Sequence, residues 1–526
     1  MAPNIVITGF MGTGKSSVGR LVAERLGRRF VDMDLLIEEQ EGRSISDIFA
    51  EEGEPYFRAL ERDLCRELAS RQDLVIATGG GTLVDPVNRE VMARSGELFC
   101  LRCAPEEILR RLEVAEGRPL LDVEARRERI EALLAKRREA YAKIPYQIET
   151  TGKTIEQVVE ETIRVVEDMR KISVRYPTGR YDIHLGRGTL GRIGGLLRAW
   201  GQPSHVAVVS NFTVWPIHGS MTESSLHEAG FNPLICLVPD GEEYKRLNTV
   251  RQLYNQFIGG KLDRGSVVIA LGGGVVGDMA GFAAATYMRG VQMVQVPTTL
   301  LAMVDASVGG KVAVDHPRGK NLIGAFKQPA FVAVDPAVLG TLPDEEMRSG
   351  WAEIIKHGII GDSPLFERLE AHSELRPPSD TLTEIIAAAI RVKVEVVEED
   401  PYERGRRRVL NLGHTFAHAF EVLSDYQLRH GYAVAIGMVV AARVAERMGL
   451  CQPELPGRIE ALLRAFGLPT RVPDFEPEAI WQGMAMDKKR RGSRLRFVLP
   501  RALGDVIVTE EVAQGTVLAV LDELSS

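Results

Sequence analysis

Residues 267–278 read VVIALGGGVVGD, and this stretch decides how the larger part of the chain folds. The β-branched run Val267, Val268 and Ile269 predicts a buried parallel strand. It ends at Gly272, Gly273 and Gly274, with Gly277 and Asp278 just beyond. Glycines at a strand end let backbone N–H groups approach an anion closely, and a helix N-terminus behind them adds positive dipole. Gly272, Gly274 and Gly277 satisfy G-x-G-x-x-G literally. The dinucleotide fingerprint also asks for an acidic residue at the end of the next strand. That strand, residues 291–296, ends in Pro297 with no carboxylate. Read alone, the glycines fit either a tight strand-to-helix turn or a dinucleotide held in another way.

Length and composition narrow the field. The chain has 526 residues, enough for about three or four domains. With 45% hydrophobic and 26% charged residues, long disorder is excluded. A net charge of −7 leaves no electrostatic footprint for nucleic acid. The apolar run at residues 433–442 is broken by Arg443 and is too short to span a bilayer. Met1 leads almost directly into a strand, so no signal peptide is read there. Five scattered cysteines suit a reducing cytoplasm, the expected location. Cys100 and Cys103 form a lone C-x-x-C at a strand end with no second pair, which argues against a zinc or redox role.

The first part of the chain alternates strands and helices, the mark of a parallel sheet flanked by helices. After the strand at residues 4–8 comes GFMGTGKSS, residues 9–17, where Gly9, Gly14, Lys15 and Ser16 satisfy G-x-x-x-x-G-K-[ST]. It follows a strand and precedes an amphipathic helix, the context this phosphate loop requires. The amides of Gly12, Thr13 and their neighbours, with Lys15, fit the nucleotide phosphates; Ser16 fits Mg²⁺ and Ser17 completes the loop. FVDMD places Asp32 and Asp34 one residue apart, which on a strand puts both on one face. One carboxylate then suits the metal shell and the other an acceptor hydroxyl; a solvated acidic turn is the plain alternative. Arg58 and Glu61 are spaced i,i+3, the spacing of a helical ion pair. Gly79, Gly80 and Gly81 end a third strand; Arg118 lies in the loop GRPLL, and Arg137 in the basic helix AKRREAYAKI.

Residues 154–169 read as one amphipathic helix, and a strand–turn–strand pattern follows, with the turn at Pro177, Thr178 and Gly179. Alternation resumes from Ser204. Glu242 and Lys245, in PDGEEYK, follow a strand end and offer the acidic contact missing after the glycines; an exposed ion-paired turn is equally compatible. Downstream come Arg289, then Thr298, Thr299, Asp305 and Lys311, then Lys320 and Asn321. Lysines, an arginine and hydroxyls on a glycine-rich segment suit a phosphorylated polyol. From about residue 336 the pattern turns helical. Glu353 and Lys356 are i,i+3; Lys393 lies on a later helix; Arg407, Asn411, His414 and His418 fall in RRVLNLGHTFAHAFE; His430 opens another helix. His414 and His418 have the i,i+4 spacing of a metal-binding pair, and Glu353, His414 and His430 offer two imidazoles and a carboxylate with an open position.

Taken together, residues 1–165 resemble shikimate kinase through GFMGTGKSS, FVDMD, FRALE, TGGG, GRPLL and the Arg137–Tyr141 spacing. The resemblance implies an α/β P-loop kinase that phosphorylates shikimate with ATP and Mg²⁺. It assigns Asp34, Arg58, Gly80 and Arg137 to shikimate, Asp32 to the Mg²⁺ shell and Arg118 to the lid. Residues 172–526 resemble 3-dehydroquinate synthase through GGGVVGDMAGF, TYMRG, VPTTLLAMVD, GKNLIGAF, NLGHTFAHA and DKK. That implies an NAD-binding α/β domain followed by an all-helical metal-binding domain, acting on 3-deoxy-D-arabino-heptulosonate 7-phosphate. Glu353, His414 and His430 become the ligands of zinc or cobalt, and His418 moves to the substrate side, against the i,i+4 reading. Arg289, Lys311, Asn321, Lys356, Lys393, Arg407, Asn411 and Lys488 are assigned to substrate. NAD⁺ is assigned to Glu242, Lys245, Gly272, Gly273, Gly274, Asp278, Thr298, Thr299, Asp305 and Lys320. The family usually reads H-G-E-A-V, where this chain has Tyr432 for the glutamate.

The expected domains are residues 1–170, 171–335 and 336–526, with a homodimer through the synthase unit and no membrane or nucleic-acid partner. A related sugar-phosphate cyclase or a metal-dependent polyol dehydrogenase is the alternative for the second unit, and a regulatory ATP-binding module for the first.

Overall fold

The computed structural model describes residues 4–116, 123–168, 170–491 and 495–525. Arg118 therefore lies outside the described residues, as does the side chain of Lys488. The chain forms two units: residues 1–167 with 191–202 and 224–231, and residues 168–190, 203–223 and 232–526.

The first unit is built on five strands: β1 (Asn4–Gly9), β2 (Arg29–Asp32), β3 (Leu74–Ala77), β4 (Gly96–Arg102) and β5 (Tyr146–Glu149). They lie in the order β2-β3-β1-β4-β5, all parallel. β1 and β3 are buried along their whole length, as expected for inner strands covered by helices on both faces. Each fully buried valine or isoleucine there contributes about 1.5–3 kcal/mol. The chain leaves β1 for β2 on one side of the sheet, while β4 pairs on the other, so the loop after β1 opens at a topological switch point. Cys100 is buried in β4 and its thiol is pushed up to about 12 by burial, which leaves it unreactive.

The second unit holds a seven-stranded sheet made of β6 (Arg170–Tyr176), β7 (Gly179–Leu185), β8 (Val206–Asn211), β9 (Pro233–Val238), β10 (Val267–Gly272), β11 (Gln292–Pro297) and, later in the chain, β14 (Phe331–Val334). Between them, β12 (Lys311–His316) and β13 (Gly319–Phe326) form a separate antiparallel hairpin. The order is β6-β7-β14-β11-β10-β8-β9, parallel except where β6 meets β7. Progress along this sheet reverses between β8 and β10, again placing the loop after β10 at a switch point.

Beyond β14 the chain is helical, with one departure from the expected all-helical region. β15 (Phe497–Ala502) and β16 (Asp505–Thr509) pair as an antiparallel hairpin. The inner residues Phe497, Val498 and Leu499 are buried, so this short apolar run is absorbed as a strand rather than a helical turn. The helix Asp344–Gly361 is enclosed on every side from Ser349 to Ile360. A helix buried all round belongs to a core, and charged residues on it are costly unless paired or put to use. It carries Glu353, Lys356 and His357.

Candidate active sites

In the first unit the loop at residues 9–17 is shaped by backbone demand. Gly9, Gly12 and Gly14 have φ of 145°, 76° and 92°, conformations that side-chain-bearing residues rarely adopt. A Cβ on Gly9 would lie 2.5 Å from the Leu101 carbonyl oxygen on the neighbouring strand. Thr13 Oγ1 donates to the Phe10 carbonyl at 2.8 Å, and Lys15 Nζ donates to the same oxygen at 3.1 Å. Lys15 opens the helix Lys15–Leu26, whose N-cap, Gly14, makes no side-chain cap, and Ser16 and Ser17 are exposed in its first turn. Burial lowers the Lys15 pKa, against the pull of Asp34 and Asp32.

Asp32 and Asp34 do not share a strand face. Asp32 ends β2 and caps the helix Met33–Glu41, its Oδ1 accepting from the amides of Asp34 (3.1 Å) and Leu35 (3.4 Å). Asp34 stands in the first helical turn. The alternation of the strand stops two residues earlier than expected because Asp32 is a strong N-cap. Burial, then the neighbouring Asp32, pushes the Asp34 carboxyl up to about 6.

The three glycines after β3 receive the three charged residues assigned to substrate, one each. A Cβ on Gly79 would fall 2.7 Å from Asp34 Oδ1, one on Gly80 3.3 Å from Arg137 Nη1, and one on Gly81 2.6 Å from Arg58 Nη1. Arg137 Nη1 and Tyr141 Oη both donate to the Gly80 carbonyl, at 3.0 and 2.6 Å. Arg58 Nη1 is ion-paired with buried Glu61 at 2.7 Å, and Glu61 also accepts from Thr82 Oγ1 at 2.5 Å. The i,i+3 pair is therefore real, and it aims the guanidinium across the glycine floor. Two arginines and a carboxylate over bare backbone make a pocket for a small hydroxylated carboxylate.

In the second unit, Gly273 caps the helix Gly274–Thr286 at φ −71°. None of Gly272, Gly273 and Gly274 has positive φ. Space is what they supply: a Cβ on Gly272 would lie 2.7 Å from Val276 Cβ, and one on Gly273 3.1 Å from Thr299 Cγ2. This cradle of bare amides at a helix start fits the pyrophosphate of a dinucleotide. Thr298 N donates to the Gly272 carbonyl at 3.0 Å, closing the loop. Lys245 is buried beside it. Its Nζ lies 2.6 Å from Asp278 Oδ2, 2.6 Å from Asn321 Oδ1 and 3.9 Å from Glu242 Oε1. Burial pulls the Lys245 pKa down, but Asp278 and Glu242 outweigh it and hold it above the usual lysine value. Lys320 Nζ stands 3.7 Å from Glu242 Oε1. Residues far apart in sequence thus converge around Lys245 and Asp278, the latter one turn into the helix that follows the glycine loop.

Glu353, His414 and His430 also converge. His414 Nε2 and His430 Nε2 lie 3.8 and 3.7 Å from Glu353 Oε1, and one ligand atom from each residue falls within 4.8 Å of the others. Neither oxygen of buried Glu353 accepts a hydrogen bond, although Oε2 is ion-paired with Lys356 Nζ. A buried carboxylate whose Oε1 accepts no hydrogen bond and faces two imidazoles fits a divalent cation. His418 lies one turn beyond His414, ring centroids 5.9 Å apart, outside this group.

The remaining basic residues gather around two carboxylates. Lys393 Nζ pairs with Asp305 Oδ1 at 2.5 Å; burial brings the lysine down to about 8. Lys311 Nζ pairs with Glu403 at 2.6 Å, and Asn411 Nδ2 donates to Glu403 at 3.3 Å. Arg407 donates to the carbonyls of Pro401 and Gly309, and its buried Nε has no partner. Arg289 is not brought here. It stands exposed past the far end of the helix Gly274–Thr286, about 20 Å along the axis from the glycine loop at 1.5 Å per residue. Sequence reading missed Glu403, Glu421 and His357. His357 is wholly buried, burial pushes it down to about 3, and neither ring nitrogen has a partner.

Residues 235–349 match the family model described as 3-dehydroquinate synthase N-terminal, and residues 350–490 match 3-dehydroquinate synthase C-terminal. The chain is 45% identical over 356 residues to a 3-dehydroquinate synthase of Nostoc punctiforme, covering 66% of this chain and 98% of that protein. The chain belongs to the 3-dehydroquinate synthase family. Residues 11–167, ahead of the synthase region, match the shikimate kinase family model. Among solved structures, the synthase unit is similar to 2-deoxy-scyllo-inosose synthase complexed with carbaglucose-6-phosphate, NAD⁺ and Co²⁺ (26% identity, TM-score 0.60, 67% of this chain and 99% of that one). It is also similar to a 2-epi-5-epi-valiolone synthase from Streptomyces hygroscopicus subsp. jinggangensis 5008 with NAD⁺ and Zn²⁺ bound (29% identity, TM-score 0.58, 61% and 90%). The chain thus unites a shikimate kinase and a 3-dehydroquinate synthase, and the described residues include no helix long and apolar enough to cross a membrane.

Proposed function

We propose the following division of labour for a bifunctional shikimate-pathway enzyme. In the kinase unit, Arg58 and Arg137 hold the shikimate carboxylate over Gly80, and Asp34 accepts the proton of the attacking hydroxyl. Lys15 and the loop amides hold the ATP phosphates, with Ser16 and Asp32 serving Mg²⁺. Phosphoryl transfer rests on positioning and charge neutralisation, which such a set supplies.

In the synthase unit, Glu353, His414 and His430 hold a divalent ion. Glu242, Lys245, Asp278 and the loop from Gly272 to Gly274 hold NAD⁺, with Thr298, Thr299, Asp305 and Lys320 beside them. When bound, the two groups supply Lewis-acid polarisation and a reversible hydride acceptor. Lys311, Asn321, Lys356, Lys393, Arg407 and Asn411 neutralise the phosphate and carboxylate of the heptulosonate, and His418 faces the substrate. The reaction so served would release phosphate and close the carbocycle, with NAD⁺ neither gained nor lost overall. The convergence of the Glu353 carboxylate on two imidazoles, with its Oε1 accepting no hydrogen bond, carries this reading.

The assay that tests it is run on the intact chain, following shikimate 3-phosphate and 3-dehydroquinate separately. A zinc-selective chelator in excess Mg²⁺ should silence the synthase and spare the kinase. Net accumulation of NADH, or chelator-resistant synthase turnover, would sink it.

The assembly proposed is a homodimer through the synthase unit, located in the cytoplasm. Its support is the position of Arg289: if this residue lines substrate, it must reach the site of another copy. Mixing inactive R289A and K356M chains should then restore turnover, and a monodisperse monomer by light scattering would contradict it.

A further inference from the structure

Glu421 is neither among the three clustered metal-ligating residues nor among those assigned to substrate or NAD⁺. It lies on the helix His414–Leu423, seven residues and so two turns beyond His414, on the same face. It is 3% exposed. Its Oε1 is approached by two donors, His430 Nδ1 at 3.4 Å and Lys320 Nζ at 3.4 Å. The other nitrogen of His430 looks toward Glu353, at 3.7 Å. The imidazole is therefore held through Nδ1, and its Nε2 is left facing Glu353. A ligating histidine needs its far N–H fixed by such a partner, because that bond sets the tautomer and the ring orientation. Tyr432, standing where the family usually has glutamate, supplies no carboxylate for this task.

The second donor leads to the cofactor pocket. Lys320 also lies 3.7 Å from Glu242, and its ammonium sits 4.7 Å from the ring centroid of Tyr426. Asp425 and Tyr426 have φ of 48° and 60°, a conformation that residues with side chains seldom adopt. The amide of Tyr426 donates to the Glu421 carbonyl at 2.7 Å. Strained backbone persists where the surroundings enforce it, and here it brings an aromatic face onto the lysine that Glu421 contacts.

We propose that Glu421 is the positioning residue of the metal site, fixing His430 with its proton on Nδ1, and that through Lys320 it couples metal binding to NAD⁺ binding. The proposal rests on Glu353, His414 and His430 being the metal site. By linkage, the ion and the dinucleotide must then change each other's affinity by the same factor, and that factor passes through one carboxylate.

The test uses the full chain as wild type, E421Q, E421A and K320M. Co²⁺ affinity is measured by competition with a chromophoric chelator, the visible spectrum of bound Co²⁺ is recorded, and NAD⁺ affinity is taken with and without Co²⁺. The thermal unfolding transition of the synthase unit, followed by calorimetry, reports that each variant is folded. E421A should bind Co²⁺ ~10–100-fold more weakly. E421Q should show a smaller loss, a changed Co²⁺ spectrum and NAD⁺ affinity no longer sensitive to Co²⁺. K320M should keep the Co²⁺ spectrum and lose the coupling. Unchanged Co²⁺ affinity and spectrum in E421Q would overturn the proposal, and E421Q decides alone if E421A does not fold. If the wild type itself binds no Co²⁺, the metal site as read here fails, a result distinct from failure of the Glu421 step.

Discussion

The two units each place a glycine-rich loop after an inner strand at a switch point, yet only the kinase loop needs glycine for its backbone conformation. In the kinase loop, Gly9, Gly12 and Gly14 are needed for positive φ, and around Gly14 there is room: the nearest atom to an added Cβ is Val18 Cγ2 at 3.9 Å. In the synthase loop, Gly272 and Gly273 have ordinary φ, and the neighbours leave no room for a Cβ to pass unnoticed. The cations differ in the same way. Lys15 belongs to its own loop, whereas Lys245 is delivered from beyond β9 and locked by Asp278. A loop built on backbone conformation carries its chemistry in one contiguous motif. A loop built on space borrows its chemistry from other segments.

The largest expected effect tests whether the loops serve separate chemistries. Lys15→Ala should lower shikimate phosphorylation by on the order of 10²–10³ in kcat, with dehydroquinate formation untouched. A parallel fall in synthase turnover would break the comparison. Next comes backbone strain. Gly14→Ala should cost about 1–2 kcal/mol of left-handed strain, seen as weaker ATP binding by the kinase. Because that strain is in the chain itself, trimming Val18 should not relieve it.

Gly273→Ala should cost less, under about 1.5 kcal/mol, since the Thr299 methyl can give way slightly. Here a neighbour should rescue: Thr299→Ser removes the opposing Cγ2 and keeps the hydroxyl, so NAD⁺ affinity should recover in the double variant. Calorimetric titration of the four proteins decides, and rescue at Gly14 or its absence at Gly273 would reverse the assignment. The smallest effect is a pH limb. Burial leaves Lys393 with a pKa of about 8, so it is charged below that value and neutral above it. If its charge neutralises substrate, synthase kcat/KM should decline above about pH 8, and K393M should remove that limb.

The same contrast explains what the sequence could disclose. The kinase loop, the glycine ends of β3 and β10 and the paired histidine helices are local patterns, and the fold class follows from strand and helix periods. Asp34 moved off the strand because a capping carboxylate competes with strand alternation, a choice two residues wide. Glu421, Glu403 and His357 carry no local signature; each gains meaning only from partners brought close by packing. The i,i+4 spacing of His414 and His418 suggested a pair, but the second imidazole of the cluster comes from His430, twelve residues beyond His418. Arg289 sits in a segment that matches its family, while the place it occupies is far along a helix from the loop.

Glu353 sits on a helix enclosed on every side, with Lys356 as its charged companion, so an ion held there would also bear on the thermal stability of the second unit. A cation that binds the native state at a hundred times its dissociation constant adds about 2.7 kcal/mol to that state's stability. Metal supply would then govern how long the synthase survives heat and proteases, and scarcity would shorten its lifetime before it limited turnover.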